Sequence, residues 1–302
     1  MKACWCVIVC LALGLLVARA EEGKRAVVQQ WEAAADRGEA EAQFQLARAC
    51  LRGEGVTKDV HKAFELMKAA AAQGHADAIG GVGYFYSVGV AVEKDDKQAA
   101  EWFRKGANLG SAKAQLNLGK MLLAGTPAAV EDGEGGMSRL REEGARWIKK
   151  AADQKLAEAA LAYGSLRYFG DQGIDKNPQQ AAQYFRIAAD QGQAHAQNFL
   201  GVMCENGIGV PVDLAEAARW YRKAAVQGVI KAQANLGRVL GPLSEKKETR
   251  IEALAWLLIA EGQGEITAKR ELDDSAPALQ EGDLPAARAK ATELRKQIVS
   301  KE

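Results

Sequence analysis

One phrase recurs along the chain and is clearest between Ala194 and Gly228: AHAQNFLGVMCENGIGVPVDLAEAARWYRKAAVQG. With Gly201 as reference, the same small residue stands at Ala47, Gly83, Gly119, Gly164 and Gly237, in steps of 36, 36, 45, 37 and 36 residues. A period in that range points to a solenoid, because one such unit cannot bury its own apolar face and must stack on its neighbours. The 302 residues are therefore read as a stack of small units, since a single core stops growing near about 250–300 residues.

Each copy divides into two helical halves. The first carries an alanine five residues before the reference position (Ala42, Ala78, Ala114, Ala159, Ala196, Ala232), so two small residues share a face and let a neighbouring helix approach. It closes near Gly53, Gly89, Gly125, Gly170 and Gly207, where glycine can take a left-handed cap. Asp59, Asp95, Asn177 and Asp213 then stand as N-caps of the second half, with Thr249 in the same register of the sixth copy. The second half carries a large pair, Leu66-Met67, Trp102-Phe103, Trp147-Ile148, Tyr184-Phe185, Trp220-Tyr221 and Trp256-Leu257, expected to fill the space between layers. It ends at Gly74, Gly110, Gly192, Gly228 and Gly264, with Lys155 as the exception. An apolar share of 48% with only 6% aromatics, much of it alanine, suits closely packed helices.

The pattern resembles the Sel-1-like repeat family, relatives of the tetratricopeptide repeats. The fifth copy shows it as Ala194, Ala196, Leu200-Gly201, Gly207, Gly209-Val210, Asp213, Ala217, Trp220-Tyr221, Lys223-Ala224-Ala225 and Gly228. The resemblance implies an all-α fold, a right-handed α/α superhelical solenoid with a concave groove. The solenoid is assigned to residues 21–264: a capping half-repeat 21–38, then repeats 39–74, 75–110, 111–155, 156–192, 193–228 and 229–264. Residues 265–302 are assigned to C-terminal capping helices, with Asp283-Leu284-Pro285 opening the last one. The third repeat is nine residues longer than 36, and the surplus at 126–144 reads as a protruding loop or a tolerated insertion.

Residues 1–20 stand apart, with Lys2, an apolar run from Val7 to Val17 and Ala18-Arg19-Ala20 before Glu21. This is the pattern of a cleavable signal peptide, and its run is shorter than the roughly 20 residues of a membrane span. Export to the bacterial periplasm is expected, with the extracellular space or a eukaryotic lumen as alternatives. The remaining chain carries 38 basic and 39 acidic residues, so no basic field exists to draw nucleic acid or, after cleavage, a membrane surface. Its two cysteines, Cys50 and Cys204, sit four residues after Leu46 and Leu200 in repeats far apart along the stack. They are expected as separate buried thiols, since a disulfide needs Cα atoms within about 7 Å.

No catalytic set emerges. His61, His75 and His195 occupy unrelated registers, read as surface residues, and neither metal nor cofactor spacing is present. Some cysteine-rich members of the resembled family are linked to penicillin binding and β-lactam hydrolysis. Ser244-Glu-Lys-Lys247 satisfies S-x-x-K, but its partner motifs are missing. The expected function is a non-catalytic interaction scaffold or adaptor, no enzyme, that binds a partner protein or peptide. A β-lactamase-like hydrolase and a structural component of an envelope assembly complex are the alternatives.

In the related tetratricopeptide fold the groove is lined by the first helices. By register, the resemblance places there Glu41, Phe44, Arg48 and Arg52; Asp77, Tyr84 and Ser87; Lys113, Leu116 and Lys120; Glu158, Ser165 and Tyr168; His195, Asn198 and Glu205; and Lys231 and Arg238. Asn117 and Asn235 fall where related repeats hold a peptide backbone, though bracing the helix pair is the role expected here. Asn198 and its counterparts Arg48, Tyr84, Lys120 and Arg238 are positions that the repeat leaves free. Arg48, Lys120 and Arg238 would set positive charge against an acidic partner segment, with Phe44 and Tyr84 as apolar contacts. Scattered solvated charges are the competing reading.

Overall fold

The computed structural model describes residues 22–126, 136–170, 173–241 and 244–298, and no β-strand is present among them. The signal-like stretch 1–20 and most of the 126–135 segment lie outside the described residues. The chain forms two compact units, one ending at Ala151 and one starting at Ala152.

In the first unit a helix over residues 22–36 (α1) precedes α2 (Ala40–Arg52), α3 (Val60–Ala72), α4 (Ala76–Val88), α5 (Asp96–Asn108) and α6 (Ala112–Ala124). Helix α7 (Gly136–Asp153) closes it. The second holds α8 (Ala157–Phe169), α9 (Pro178–Asp190), α10 (Ala194–Asn206), α11 (Leu214–Ala225), α12 (Ile230–Leu240) and α13 (Lys247–Glu261), then α14 (Ile266–Ser275) and α15 (Asp283–Arg295).

The reference glycine has one cause throughout. It sits under the second member of the large pair of its own repeat. A Cβ added at Gly83 would lie 2.8 Å from the Phe103 ring; at Gly164, 2.8 Å from Phe185; at Gly201, 2.6 Å from Tyr221; at Gly237, 2.6 Å from Leu257. At Gly119 it would meet both Ile148, at 2.5 Å, and the Gly144 carbonyl, at 2.6 Å. Phe103, Ile148, Phe185, Tyr221 and Leu257 are all buried, so this face-to-backbone packing forms the core between the two helices of each pair. In the first repeat the position is Ala47, and Met67 stands in the register of the large residue; both are buried.

A second recurring device is a glutamine. Gln43, Gln115, Gln197 and Gln233, each following the Ala of its repeat, are buried and donate back to the carbonyls of Ala35, Ala107, Ala189 and Ala225 on the preceding helix. The glutamines ahead of the closing glycines then donate to three of them: Gln73 to Gln43, Gln227 to Gln197 and Gln263 to Gln233. Gln43, Gln197 and Gln233 are thus held from both sides, and buried amides that would otherwise cost free energy are satisfied. On the second helices, Arg104, Arg186 and Arg222 pair with Glu143, Glu216 and Glu252 of the next repeat. Those glutamates also accept from the indoles of Trp147, Trp220 and Trp256.

Asp59, Asp95, Asn177 and Asp213 cap their helices as expected. Gly53, Gly89, Gly125 and Gly207 are left-handed C-caps. Gly170 differs: at φ 70 and ψ 164 it takes an extended conformation open only to glycine. Three expectations are corrected. Thr249 is not a cap, because α13 starts earlier and its N-cap is Lys246, without a side-chain bond. Part of the 126–144 surplus is helix, making α7 18 residues long against 13 for α6. Asp283 does not open α15 as a cap; that place belongs to Gly282. Asp283 is instead fully buried and takes the Arg250 guanidinium, Nε to Oδ2 at 2.7 Å. Arg250 also donates to the Ser244 carbonyl and to Gln280, which fixes α15 against α13 through polar groups.

Candidate functional site

The first helices carry residues that differ from repeat to repeat, and each unit presents its own set. In the first unit α2, α4 and α6 carry them. Phe44 is buried rather than presented: His75 stacks on its ring at 4.6 Å, and the Arg48 guanidinium lies 5.7 Å from its centroid. His75 is not the surface histidine expected, because it caps α4. The Ala78 amide donates to His75 Nδ1 at 3.2 Å, so the proton sits on Nε2, which donates to Glu41 at 2.9 Å. Gln45 donates to Glu41 at 2.6 Å and accepts from Arg48 at 3.0 Å. The bonds from Gln45 and then His75 hold the Glu41 carboxyl below its ordinary range.

Further along this face Tyr84 is 49% and Val88 44% exposed. Lys113 and Lys120 are exposed and Asn117 is half-buried, whereas Leu116 is buried and contributes to the core. Arg52 is exposed with a loose pairing to Glu54 at 3.6 Å. Asp77 accepts from the Ser111 hydroxyl, tying α4 to the cap of α6.

In the second unit the corresponding face is differently made. Arg238 grips Glu205 with both guanidinium nitrogens, Nη2 to Oε2 at 2.9 Å and Nη1 to Oε1. Tyr221 donates its hydroxyl to the same carboxylate at 2.7 Å. Burial alone would raise Glu205, but the bonds from Arg238 and Tyr221 prevail and leave it below its ordinary range. Arg238 is therefore a clamp between α10 and α12, with its charge matched. Asn235 donates to Asn198 at 3.4 Å, consistent with bracing. Asn198 is not the counterpart of Arg48, Tyr84, Lys120 and Arg238: it stands two residues after Ala196, in the register of Phe44 and Leu116, and the true counterpart is Val202. Lys231, His195 and Glu158 are exposed. Ser165 turns back to the Leu161 carbonyl.

Tyr168 belongs to an aromatic group that the register argument missed. Phe199 stacks on Phe185 at 4.9 Å, and Tyr168 and Phe169 approach Phe199 at 5.7 Å each. The signal was the adjacent pair Tyr168-Phe169 ahead of Gly170, where the other repeats carry no second ring. Ser244 is held through its backbone by Arg250, and Lys247 is exposed at the start of α13. Cys50 and Cys204 are buried, unpaired thiols. No helix among the described residues is long and apolar enough to cross a membrane.

The family model of the Sel1 repeat matches residues 40–75, 76–111, 112–156, 157–193 and 194–229. A Sel1 repeat protein from Oxalobacter formigenes has a similar structure, with a TM-score of 0.60, 25% identity, and coverage of 82% of this chain and 95% of that one. Chitin synthase regulatory factor 3 of Schizosaccharomyces pombe is 28% identical over 158 residues, 51% of this chain and 16% of that protein. An exopolysaccharide production negative regulator of Rhizobium leguminosarum is 27% identical over 159 residues, 48% of this chain and 56% of that protein. The chain thus spans little more than half, or much less, of these two relatives.

Proposed function

The chain belongs to the Sel1 repeat family, whose members are in general protein-interaction scaffolds, and we propose that it is a non-catalytic adaptor holding a partner polypeptide against its first helices. One observation carries the reading. The residues that recur from repeat to repeat are consumed by packing, capping and stitching, while the first helices carry exposed side chains that differ from repeat to repeat, with Tyr84 half exposed and Lys120 exposed. A surface that varies on a recurring frame is what a scaffold needs to tell partners apart. The regulatory names of two relatives agree with an adaptor that acts through another protein.

A photo-crosslinking residue placed at Tyr84, Asn117 or Lys231 should give discrete adducts with a polypeptide in the host, and one placed at Lys97 on α5 should not. Equal labelling from both sets, or none from the first-helix positions, would refute the reading. Purified protein should leave a chromogenic β-lactam intact. Turnover abolished by Ser244→Ala would replace the adaptor with the hydrolase. The Lys2, Val7–Val17 and Ala18-Arg19-Ala20 pattern supports export from the cytoplasm, to the periplasm in a bacterial host. The intact mass of the exported protein should then correspond to a start at Glu21.

A further inference from the structure

We infer that Asn206 is a site of spontaneous deamidation, gated by opening of the last turn of α10 and held shut by Glu205 and Arg238. Among the asparagines of the chain, Asn206 alone precedes a glycine: Asn108, Asn117 and Asn235 precede leucine, Asn198 phenylalanine and Asn177 proline. The following residue matters because glycine has no side chain to shield its main-chain nitrogen from the neighbouring amide. Asn206 and Gly207 are both exposed at the end of α10, open to solvent water. No other repeat places an asparagine there. The residue before the corresponding glycine is Arg52, Val88, Ala124, Phe169 or Leu240.

The reaction needs only water. Once solvent base has taken its proton, the Gly207 nitrogen attacks Asn206 Cγ. That C–N bond forms, the Cγ–Nδ2 bond breaks, and Nδ2 takes up a proton and leaves as ammonia. Water then adds to either carbonyl of the five-membered imide and opens it to aspartate or isoaspartate. In sum, one amide and one water give one carboxylic acid and one ammonia.

The fold holds both reacting groups apart. The Gly207 N–H donates to the Met203 carbonyl. Asn206 Nδ2 donates to the Val202 carbonyl at 2.9 Å, which keeps the side chain folded back along α10. Ring closure also turns ψ of residue 206 away from the helical value of about −42°. All three restraints are released together only when the last turn opens. Glu205, in that turn, keeps it closed by accepting from Tyr221 Oη at 2.7 Å and Arg238 Nη2 at 2.9 Å. The product cannot close again in the same way. Either acid sets a carboxylate beside Glu205 at the C-terminal end of a helix, where negative charge is disfavoured, and isoaspartate also lengthens the main chain by a methylene. The loop that follows has no room for it: a Cβ on Gly209 would lie 2.4 Å from the carbonyl carbon and oxygen of Pro178. The fifth repeat therefore keeps a covalent record of its own opening.

The test incubates the purified protein in mildly alkaline buffer, with and without urea, and follows each asparagine by peptide mapping and mass spectrometry, with isoaspartate read by enzymatic methylation. In urea Asn206 should convert first, well ahead of Asn108, Asn117 and Asn235. In the native protein it should convert at least about ten-fold more slowly, in proportion to how seldom the turn opens. Arg238→Met should speed the native reaction by about ten-fold, the factor expected when a hydrogen bond to a charged group is lost. Glu205→Gln, which removes the charge from the other side of the same clamp, should act in the same direction. Arg222→Met breaks the pair with Glu252 between α11 and α13 and should leave the rate unchanged. Circular dichroism checks that each variant is folded, and either clamp variant alone decides the question. Conversion at equal rates with and without urea, no conversion of Asn206 in urea, or a native rate indifferent to the clamp variants would overturn the inference. Equal acceleration by Arg222→Met would overturn it as well, by showing that the reaction waits for global unfolding.

Discussion

Gly201→Ala should destabilise the native chain, yet stabilise it once Tyr221 has been replaced by Ala. A Cβ at position 201 would lie 2.6 Å from both Cδ1 and Cε1 of Tyr221. The ring cannot swing away, since it is fully buried and its hydroxyl is tied to Glu205, which Arg238 holds in turn. Overpacking of this kind costs about 1–3 kcal/mol, while exchanging Gly for Ala inside a helix returns about 1 kcal/mol. The net loss is then up to about 2 kcal/mol. Tyr221→Ala alone should cost about 3–5 kcal/mol, as for other large aromatic truncations. In that background the obstruction is gone, and Gly201→Ala should gain about 1 kcal/mol. The coupling between the two sites is therefore about 1–3 kcal/mol, readable from urea unfolding of the four proteins followed by circular dichroism. If Gly201→Ala has the same effect in both backgrounds to within about 0.5 kcal/mol, the ring is not what excludes a side chain from this position. Gly119 supplies the contrast. The Gly144 carbonyl, 2.6 Å from a Cβ there, stays in place when Ile148 is truncated, so Ile148→Ala should not rescue Gly119→Ala.

The stitching glutamines give a graded expectation. Gln233→Leu, which removes a fully buried amide and leaves the Ala225 carbonyl without its bond, should cost about 1–3 kcal/mol, and Gln263→Leu less, because Gln263 is exposed; equal losses in urea unfolding would refute the ordering. Glu205 has a lowered pKa when folded, so its contribution is present above the ordinary carboxylate range and is lost as pH falls through the folded value. The stability gap between wild type and Arg238→Met should accordingly narrow from neutrality into acid, and a constant gap would exclude Glu205 as its source. Burial raises Cys204 to about 11 and also raises Cys50. In the chain from residue 21 both thiols should react slowly with a disulfide reagent until urea is added, and stability should fall as pH rises from the ordinary thiol value toward about 11. Rapid reaction of the native protein would show that these repeats open readily.

What could be read from the sequence, and what could not, divides along a physical line. Caps and turn glycines were legible because each is decided within a few residues: Asp59, Asp95, Asn177 and Asp213 bond amides two or three residues on. The family and the helical fold followed from their repetition. Register also marked the variable positions on the first helices, but it could not tell which charges are spoken for. Arg238 and Glu205 are 33 residues apart, as are Arg250 and Asp283, and neither pair recurs in every repeat, so periodicity was silent about both. The same limit hid His75, whose role depends on Phe44 and Glu41 of the preceding repeat. The glutamines were within reach, since Gln43, Gln115, Gln197 and Gln233 recur at one place. A polar residue that returns inside an apolar face is evidence of a buried partner, because an unsatisfied amide there would be selected out by its cost. Applied to the first helices, that rule marks Arg238 as part of the frame, because its charge has a fixed partner in Glu205.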